Sequence, residues 1–429
     1  MGRMSPRTLA SGDEPRSILV VLPSWVGDFV MATPTLRALR RRYPTARITF
    51  LAEPNLRDLL EGGPCGEAAA DGKHDGLDIV QPHGGQQPPR KGPLLGGTWA
   101  RKGSGPARRS GEQQTRYAGG DWMNEVVEWP AKERRRPWHR EHRRLVAQLR
   151  GRRFDWAVLL PNSARAALVA FLARAKHRIG YDRDGRGLLL TDRLPVRNRV
   201  KGGFAPLPLV EYYADLAEAI GCERPGDDLE LHVTADCERS VDHRLSKLGI
   251  AEVRPLIVLS PGAKYGAAKC WFPERFAGAG DALIERRGAA VLVTCGPGEE
   301  SIARQIAAAS RRGALVLEDP ILSLGELKSL IARSDLLICN DAGPRHFAKA
   351  FGVGVVTIFG PTHPRWTATN YPAERIVRID VPCGPCQQRI CPLKHLDCMT
   401  GVSVEMVVAA AEELLDAAPV AVGSAARGR

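Results

Sequence analysis

Short apolar runs alternate with helical patterns over most of the chain. The first run, residues 18–22, is continuous and rich in β-branched side chains, which is typical of a buried parallel strand. After a loop, residues 29–43 place apolar side chains at helical spacing, and residues 48–52 form a second apolar run. This order of strand, loop, helix and strand predicts the start of a doubly wound α/β domain.

The same alternation recurs along the rest of the chain. Further strands are predicted at residues 156–160, 256–260, 290–294, 315–317, 335–339 and 355–359. Helices are predicted at residues 139–150, 164–175, 209–221 and 404–415. A capping box at Ser323 and Glu326 opens another helix. The pattern therefore predicts two consecutive Rossmann-like domains with a ligand cleft outside the carboxyl ends of their strands.

The length of 429 residues suits two domains. The predicted parts are a flexible leader at 1–16, an N-terminal domain at 17–235, a C-terminal domain at 236–416 and a flexible tail at 417–429. Residues of about 222–254 are interpreted as the passage between the domains. Since residues 62–120 are rich in Gly, Pro, Gln and Arg, we predict a flexible insertion at about 82–126.

Charge is concentrated near this insertion. The chain has a formal net charge of +13, and residues 82–150 contain 15 Lys and Arg against 6 Asp and Glu, a local balance of +9. Such a segment favours an anionic surface, either phospholipid or nucleic acid, and a solvated insertion without a partner is the alternative. Because no recognised nucleic-acid module is present, we expect no nucleic-acid partner and favour peripheral contact with an anionic inner membrane.

Composition gives the broad class. Hydrophobic residues make up 44 % of the chain and charged residues 25 %, as in globular proteins. No apolar run approaches the roughly 20 residues needed to span a bilayer. The first apolar run is short and ends at Pro23. We therefore expect no export signal and a cytoplasmic location, where most of the ten cysteines would be thiols or metal ligands.

The first predicted strand is followed by Trp25, Gly27 and Asp28. A glycine allows a tight turn at this point. The Asp28 carboxylate at the mouth of the cleft could serve as a general base. An N-cap of the following helix is the alternative, and spacing alone favours it.

Phosphate-compatible loops follow several strands of the second half. The loop after residue 260 contains Gly262 and Lys269 before a helix, although the P-loop signature is absent. Small residues follow the strand at 335–339, and Glu299 follows the strand at 290–294, where it could bind ribose hydroxyls or simply place charge at a helix start. These loops together predict a nucleotide held by the C-terminal domain.

Several blocks occur in the order found in one known family. They are Pro23-Ser24-Trp25-Val26-Gly27-Asp28, Leu160-Pro161-Asn162-Ser163, Pro261-Gly262-Ala263 with Tyr265-Gly266 and Ala268-Lys269, Asn340-Asp341-Ala342-Gly343, and Gly360-Pro361-Thr362. With them the chain resembles the bacterial lipopolysaccharide heptosyltransferases of glycosyltransferase family nine, most closely the members that add the second core heptose. The resemblance covers residues 18–415 except the insertion, and its blocks are specific as a set.

This resemblance implies a GT-B fold, in which two Rossmann-like domains face each other across a cleft. It implies inverting, metal-independent transfer of heptose from ADP-heptose to a phosphorylated lipid A-core acceptor, with no required cofactor. Asp28 matches the proposed general base, and Lys269 matches a lysine at the donor diphosphate, where it would offset charge on the departing ADP.

Other positions receive binding roles from the same resemblance. The donor-binding positions are Gly262, Lys269, Glu299, Asp341, Ala342, Gly343 and His346. The acceptor-binding positions, some of them suggested by charge and cleft position, are Trp25, Asn162, Ser163, Arg183 and Arg186.

Three departures from the family pattern bear on the donor sugar. Ala342 stands where the family usually has Ser or Thr, and Cys270 replaces a common arginine. Arg345 stands where Met or Leu is usual and could either reinforce phosphate binding or indicate a different donor. The alternatives are thus a transferase using another donor sugar or a catalytically inactive nucleotide-sugar or glycan binding protein.

Two further motifs carry ligand-type residues. Cys383, Cys386, Cys391 and Cys398 have the ligand number of a structural zinc site, and four thiols in a surface loop are the alternative. Asp182-Arg183-Asp184 resembles the metal-binding carboxylate pair of another class of sugar transferases. It is placed in a loop that does not follow an apolar strand directly, so a solvated loop or an arginine contact with the acceptor is favoured.

Overall fold

The computed structural model describes residues 14–60, 122–131 and 139–417. Within these residues the chain forms two six-stranded parallel sheets and one short antiparallel hairpin. Most of the predicted leader, tail and basic insertion lies outside the described residues. No helix in the described ranges is both long enough and apolar enough to cross a membrane.

The N-terminal sheet has the strand order β3-β2-β1-β4-β5-β6. Its strands are β1 (Ser17–Val21), β2 (Arg47–Ala52), β3 (Glu125–Glu128), β4 (Trp156–Leu159), β5 (His177–Tyr181) and β6 (Asp192–Leu194). Its helices are α1 (Val26–Arg42), α2 (Arg57–Leu60), α3 (Arg140–Gly151), α4 (Ala164–Leu172) and α5 (Leu209–Ala219). A hairpin of β7 (Arg199–Val200) and β8 (Gly203–Phe204) follows β6.

The C-terminal sheet repeats this order as β11-β10-β9-β12-β13-β14. Its strands are β9 (Leu256–Ser260), β10 (Ala290–Thr294), β11 (Leu315–Leu317), β12 (Leu336–Asn340), β13 (Gly354–Phe359) and β14 (Glu374–Arg378). Its helices are α6 (Ala235–Lys247), α7 (Pro273–Arg287), α8 (Glu300–Ala309), α9 (Leu324–Arg333), α10 (Pro344–Phe351), α11 (Asp397–Thr400) and α12 (Val404–Asp416).

The central strands are buried along their whole length, which explains their continuous apolar runs. All five residues of β9 and of β12 are buried, as are four of the five residues of β1. In each sheet the chain order reverses beside the first strand, between β1 and β4 and between β9 and β12. Loops at these two switch points are the expected ligand sites of doubly wound domains.

The two domains contact each other through helices. The hydrophobic core runs without interruption from the N-terminal strands to α10, where Phe347 is fully buried. α1 packs against α10, and α2 packs against α9. Beside this second contact, Lys328 Nζ donates a 2.7 Å hydrogen bond to the backbone oxygen of Asp58. Burial lowers the pKa of Lys328 to about 8. The carboxyl ends of both sheets are therefore held in a fixed relation.

Two predictions about the organisation of the chain need correction. β3 begins at Glu125, so the end of the predicted insertion is a strand of the sheet, and Trp122 beside it is buried. α6 lies in the stretch interpreted as a passage between domains, and it packs against α9. α6 is mostly polar with only three buried residues, Cys237, Val241 and Leu245, so its apolar pattern is weak.

Candidate active site

The loop after β1 leads directly into α1, and Asp28 is the third residue of that helix. The N-cap is Trp25, whose side chain is 43 % exposed and makes no capping hydrogen bond. The N-cap interpretation of Asp28 is therefore wrong, because this residue lies inside the first turn. Burial raises the pKa of Asp28 to about 6, while Lys269 lowers it and Asp341 raises it. These influences place Asp28 within electrostatic reach of the C-terminal domain.

Two glycines permit the close approach of the domains at this point. A Cβ at Gly27 would lie 3.1 Å from Cδ2 of His346. A Cβ at Gly343 would lie 3.0 Å from Cγ1 of Val26. The first turn of α1 thus contacts the first turn of α10, and the free amides of both turns favour anions in their vicinity.

Lys269 lies in a short 3-10 turn, Ala267–Lys269, in the loop after β9. Its side chain is largely buried, and Nζ donates to Asp341 Oδ2 at 2.5 Å and to the Asp341 backbone oxygen at 3.2 Å. The ammonium group also lies 4.6 Å from the centre of the Tyr265 ring. Carboxylate and aromatic face together fix a cation at the switch point of the C-terminal sheet.

Asp341 follows β12 directly and is also largely buried. Burial alone would raise its pKa, but Lys269 and Arg345 outweigh this effect and hold the pKa of Asp341 below its usual value. Thr362 in the loop after β13 donates from Oγ1 to Asp341 Oδ2 at 2.7 Å. Asp341 is thus an ionised carboxylate whose surroundings favour the charged form.

The loop after β9 is braced by its neighbours. Asn340 Nδ2 donates to the Pro261 backbone oxygen at 2.5 Å, and Asn340 Oδ1 accepts from the Trp271 backbone nitrogen at 3.1 Å. A Cβ at Gly262 would overlap the carboxylate of Glu299, which accepts from the Gly296 backbone nitrogen at 2.9 Å. Glu299 therefore lies against the Gly262 backbone, so both predicted donor residues face the same edge of the sheet.

The start of α10 supplies the remaining donor positions. Ala342 and Gly343 are half-buried there, and His346 is 3 % exposed. Burial depresses the pKa of His346 well below its usual value, with a further lowering by Arg345, so the imidazole is neutral at physiological pH. A neutral imidazole beside Gly27 can exchange hydrogen bonds at the domain contact without adding charge.

Arg345 does not line the space where a phosphate would lie. Its side chain is almost completely buried, and its guanidinium group is bonded to Asp341, Thr367 and Glu374. The predicted phosphate contact of Arg345 is contradicted by this geometry, because its donors already have protein partners.

On the acceptor side, the residues after β4 are mainly held by other side chains. Asn162 Oδ1 accepts from Tyr212 Oη at 2.9 Å and from Arg186 Nη2 at 3.3 Å. Ser163 caps α4 by accepting from the Ala166 backbone nitrogen. Arg186 is 1 % exposed and donates to the backbone oxygens of Tyr181 and Pro161. Arg186 therefore supports this loop, and its predicted direct contact with the acceptor does not fit this burial.

Arg183 belongs to an open pocket of about 480 Å³ at the carboxyl ends of β5 and β6. Its guanidinium carbon lies 3.8 Å from the centre of the Phe204 ring, and Arg199 lines the same pocket. Asp182 directly follows β5, a strand that was not predicted, and this strand is only partly apolar. β5 was missed because its sequence, HRIGY, begins with two polar residues.

The cysteine cluster lies between β14 and α11. Cys383 Sγ is 3.8 Å from His395 Nε2, and Cys398 is buried. The described ranges contain no group of three or more His, Cys, Asp or Glu side chains arranged to hold a metal ion. The structural zinc site stays a prediction, and the contact with the inner membrane also stays one because most of the basic segment lies outside the described residues.

Three residues that bind Asp341 or Arg345 were not singled out from the sequence as functional residues. Thr362 was visible only as part of the Gly360-Pro361-Thr362 block. Glu374 and Thr367 contact Arg345, but neither lies at the carboxyl end of a predicted strand. No signal in the local sequence reveals Glu374, because three of the five residues of β14 are charged and only one is buried.

The arrangement defines a two-domain sugar transferase of the GT-B fold, with a candidate base on one domain and an anion-binding edge on the other. The sequence model of glycosyltransferase family 9 (heptosyltransferase) matches residues 142–397. This is more than half of the chain, and the chain belongs to that family. The recognition made from the sequence blocks is confirmed, and the chain is an enzyme of the glycosyltransferase class.

Similar proteins agree with this placement. Lipopolysaccharide heptosyltransferase 2 of Salmonella typhimurium is 28 % identical over 378 residues, covering 84 % of this chain and 88 % of the relative. The structure of the Escherichia coli ADP-heptose lipopolysaccharide heptosyltransferase II has a TM-score of 0.63 and 24 % identity, covering 93 % and 98 %. A family 9 glycosyltransferase from Veillonella parvula has a TM-score of 0.66 and 18 % identity, covering 93 % and 97 %. These likenesses confirm the predicted fold.

Proposed function

We propose that this chain transfers a heptose from ADP-heptose to a lipopolysaccharide inner-core acceptor. The observation that carries the proposal is the contact between the first turns of α1 and α10. It brings the turn that holds Asp28 close to the donor edge, where Lys269 is bonded to Asp341. Transfer of a sugar to an alcohol needs a base for the hydroxyl proton and a cation for the leaving group. The two domains place such groups on opposite sides of one cleft. The relatives named for heptose transfer and for ADP-heptose support this choice of donor.

In the proposed reaction Asp28 accepts the proton of the acceptor hydroxyl group while the oxygen of that hydroxyl group attacks the anomeric carbon. The bond between that carbon and the ADP oxygen breaks as the new glycosidic bond forms, and ADP departs with the bonding electrons. Attack from the side opposite the leaving group inverts the anomeric centre. The raised pKa of Asp28 suits a base that works near neutral pH.

The departing diphosphate would lie against the loop after β9 and the first turn of α10. Lys269 and the free amides there would stabilise the charge that grows on ADP, the function that a metal ion performs in other transferases. Gly262 and Glu299 would face the nucleoside, because they lie together at the adjoining strand end. We therefore propose a reaction without a metal ion.

The acceptor would extend from Asp28 towards the N-terminal sheet edge. The loop that carries Arg183 is two strands from β1, about 10 Å away at ordinary strand spacing. Its guanidinium group, stacked on Phe204 in an open pocket, can take an anionic group of the acceptor without first breaking a buried ion pair. We assign this pocket to the phosphorylated or carboxylated part of the core.

The proposal is tested by mixing the purified chain with ADP-heptose and a core acceptor in the presence of EDTA. We expect ADP to be released and the acceptor to gain one heptose, with the inverted linkage read by NMR of the product. Omission of the acceptor is the control for hydrolysis. Absence of transfer both with EDTA and with added divalent metal would contradict heptose transfer by this chain. Activity that EDTA abolishes would contradict the proposal that the reaction needs no metal ion.

A further inference from the structure

Arg345 has the most extensive set of partners near the donor edge. Its Nε donates to Glu374 Oε1 at 3.0 Å, and its Nη2 donates to Glu374 Oε2 at 3.1 Å. The remaining nitrogen, Nη1, donates to Thr367 Oγ1 at 2.8 Å and to Asp341 Oδ1 at 3.2 Å. One planar guanidinium group thus links the carboxylate after β12 to the edge strand β14.

This contact completes the fixation of Asp341. Arg345 holds Oδ1, while Lys269 and Thr362 both donate to Oδ2. With both oxygens bonded from different elements, the carboxylate cannot rotate without losing at least one charged hydrogen bond. The position of the Lys269 ammonium depends on that same carboxylate.

Glu374 makes the arrangement electrically balanced. Two cations, Lys269 and Arg345, face the two carboxylates of Asp341 and Glu374, and Thr357 Oγ1 donates to Glu374 Oε1 at 2.7 Å. Without Glu374, the Arg345 cation would compete directly with Lys269 for Asp341. Glu374 takes the Nε and Nη2 donors, and Nη1 is left to donate to Asp341 and Thr367.

We propose that Arg345, supported by Glu374, is a positioning residue for donor binding. It orients Asp341, and Asp341 in turn sets the place of the Lys269 ammonium that faces the leaving diphosphate. This inference rests on the proposed function. Arg345 itself touches no substrate, and the flexible stem of Lys269 explains why external positioning is needed.

The inference predicts the ionisation of Asp341 as well as donor binding. Charged or titratable groups reach Asp341 from the loop after β9, from α10, from α1 and from the neighbouring strands. They are Lys269, Arg345, His346, Asp28, Cys339 and Glu374. The test variant removes Arg345, whose loss raises the pKa of Asp341, and Glu374, whose loss would lower it. A rise in the pKa of Asp341 therefore reports on the loss of the Arg345 contact.

The main variant is R345M/E374M, which replaces both members of the buried pair. Removal of Arg345 alone would leave Glu374 buried and uncompensated, whereas replacement of the pair is often tolerated by folding. We expect the donor KM to rise about tenfold or more, the acceptor KM to stay the same, and the pKa of Asp341 to rise. The Asp341 titration is followed by NMR of the chain labelled at its aspartate carboxyl carbons, with D341N for assignment.

R345K is the second variant. A lysine keeps the positive charge but cannot serve both Glu374 oxygens and Asp341 with one planar group. We expect it to restore part of the donor affinity, with a donor KM between those of the wild type and R345M/E374M. The matched control is R37M/E230M, which removes the pair of Arg37 and Glu230 from the N-terminal domain; its donor KM is expected to be unchanged.

The positioning role is overturned if R345M/E374M folds but shows the wild-type Asp341 titration and donor KM. A raised donor KM with an unchanged Asp341 titration also contradicts it, because Arg345 would then act by another route. If R345M/E374M does not fold, R345K with a wild-type donor KM and titration gives the same contradiction. Failure of the wild type to transfer heptose would instead count against the proposed function, since the titration needs no substrate.

Discussion

The two domains share one strand order but differ in how their switch points are built. In the C-terminal domain, Lys269 and Thr362 come from two different loops and both donate to Asp341 in a third. In the N-terminal domain, Asp28 receives charge effects mainly from across the cleft, and the pocket of Arg183 is open. The donor edge is therefore organised before any substrate arrives, whereas the acceptor edge depends on its partner domain and its substrate.

The largest effect is expected from the base on the acceptor side. D28N keeps the size of the side chain but removes its ability to accept a proton. We expect kcat to fall by about 10²–10⁴-fold, because this is the range that general-base catalysis contributes. ADP affinity, measured by calorimetry, should change little. A large loss of ADP affinity would show that Asp28 belongs to the donor edge, and the comparison of the domains would fail.

On the donor side, K269M should lower kcat/KM for the donor by about 10²–10³-fold, because it removes a cation placed at the leaving group. ADP affinity should fall in parallel, unlike in D28N. The control is K264M in the same loop, since Lys264 is exposed. Equal effects of K264M and K269M would mean that loop charge matters and the position of Lys269 does not.

The pH profile connects the two sides. With a pKa of about 6, Asp28 is the active base above that pH, and kcat/KM should fall about tenfold per unit as the pH drops further below it. Since Lys269 lowers the pKa of Asp28, K269M should shift this acid limb to higher pH. The profile is measured by initial rates of ADP release. An acid limb that does not move in K269M would contradict the electrostatic contact across the cleft.

A smaller effect is expected from the backbone of the donor edge. G262A places a methyl group against the Glu299 carboxylate and should displace it. We expect donor KM to rise by about tenfold, equivalent to about 1.4 kcal/mol, with kcat changed less. G278A in α7 is the control, because its Cβ would make only an ordinary 3.4 Å contact with Val404. Wild-type donor KM in G262A would exclude Glu299 from the donor site.

The sequence predicted the buried architecture well for a physical reason. The strands at the switch points are covered on both faces, so their apolar runs were continuous and their ends located Asp28, Lys269, Asp341 and Glu299. Peripheral strands were harder to find. β3, β5, β6 and β14 contain charged residues at half-exposed positions, and their patterns do not differ enough from those of loops.

Partners of buried charges were the other limit. Nothing in the local sequence shows that the Arg345 side chain points inward. Nor does it show that Glu374, 29 positions later, accepts its hydrogen bonds. Arg186 is a similar case, because its burial depends on carbonyl groups brought together by two separate strand ends. The sequence shows that such side chains are charged. Whether they face a substrate or the protein interior depends on tertiary packing, which the local sequence does not show.

The buried link between α10 and β14 also restricts how this sequence can change over time. A single replacement of Arg345 or Glu374 leaves the other charge inside the protein without its partner, at a cost of about 3–5 kcal/mol. Descendant sequences are thus expected to exchange the two positions together, or to pass first through a substitution that supplies a spare counter-charge. Paired variation at 345 and 374 would be the evolutionary trace of this constraint.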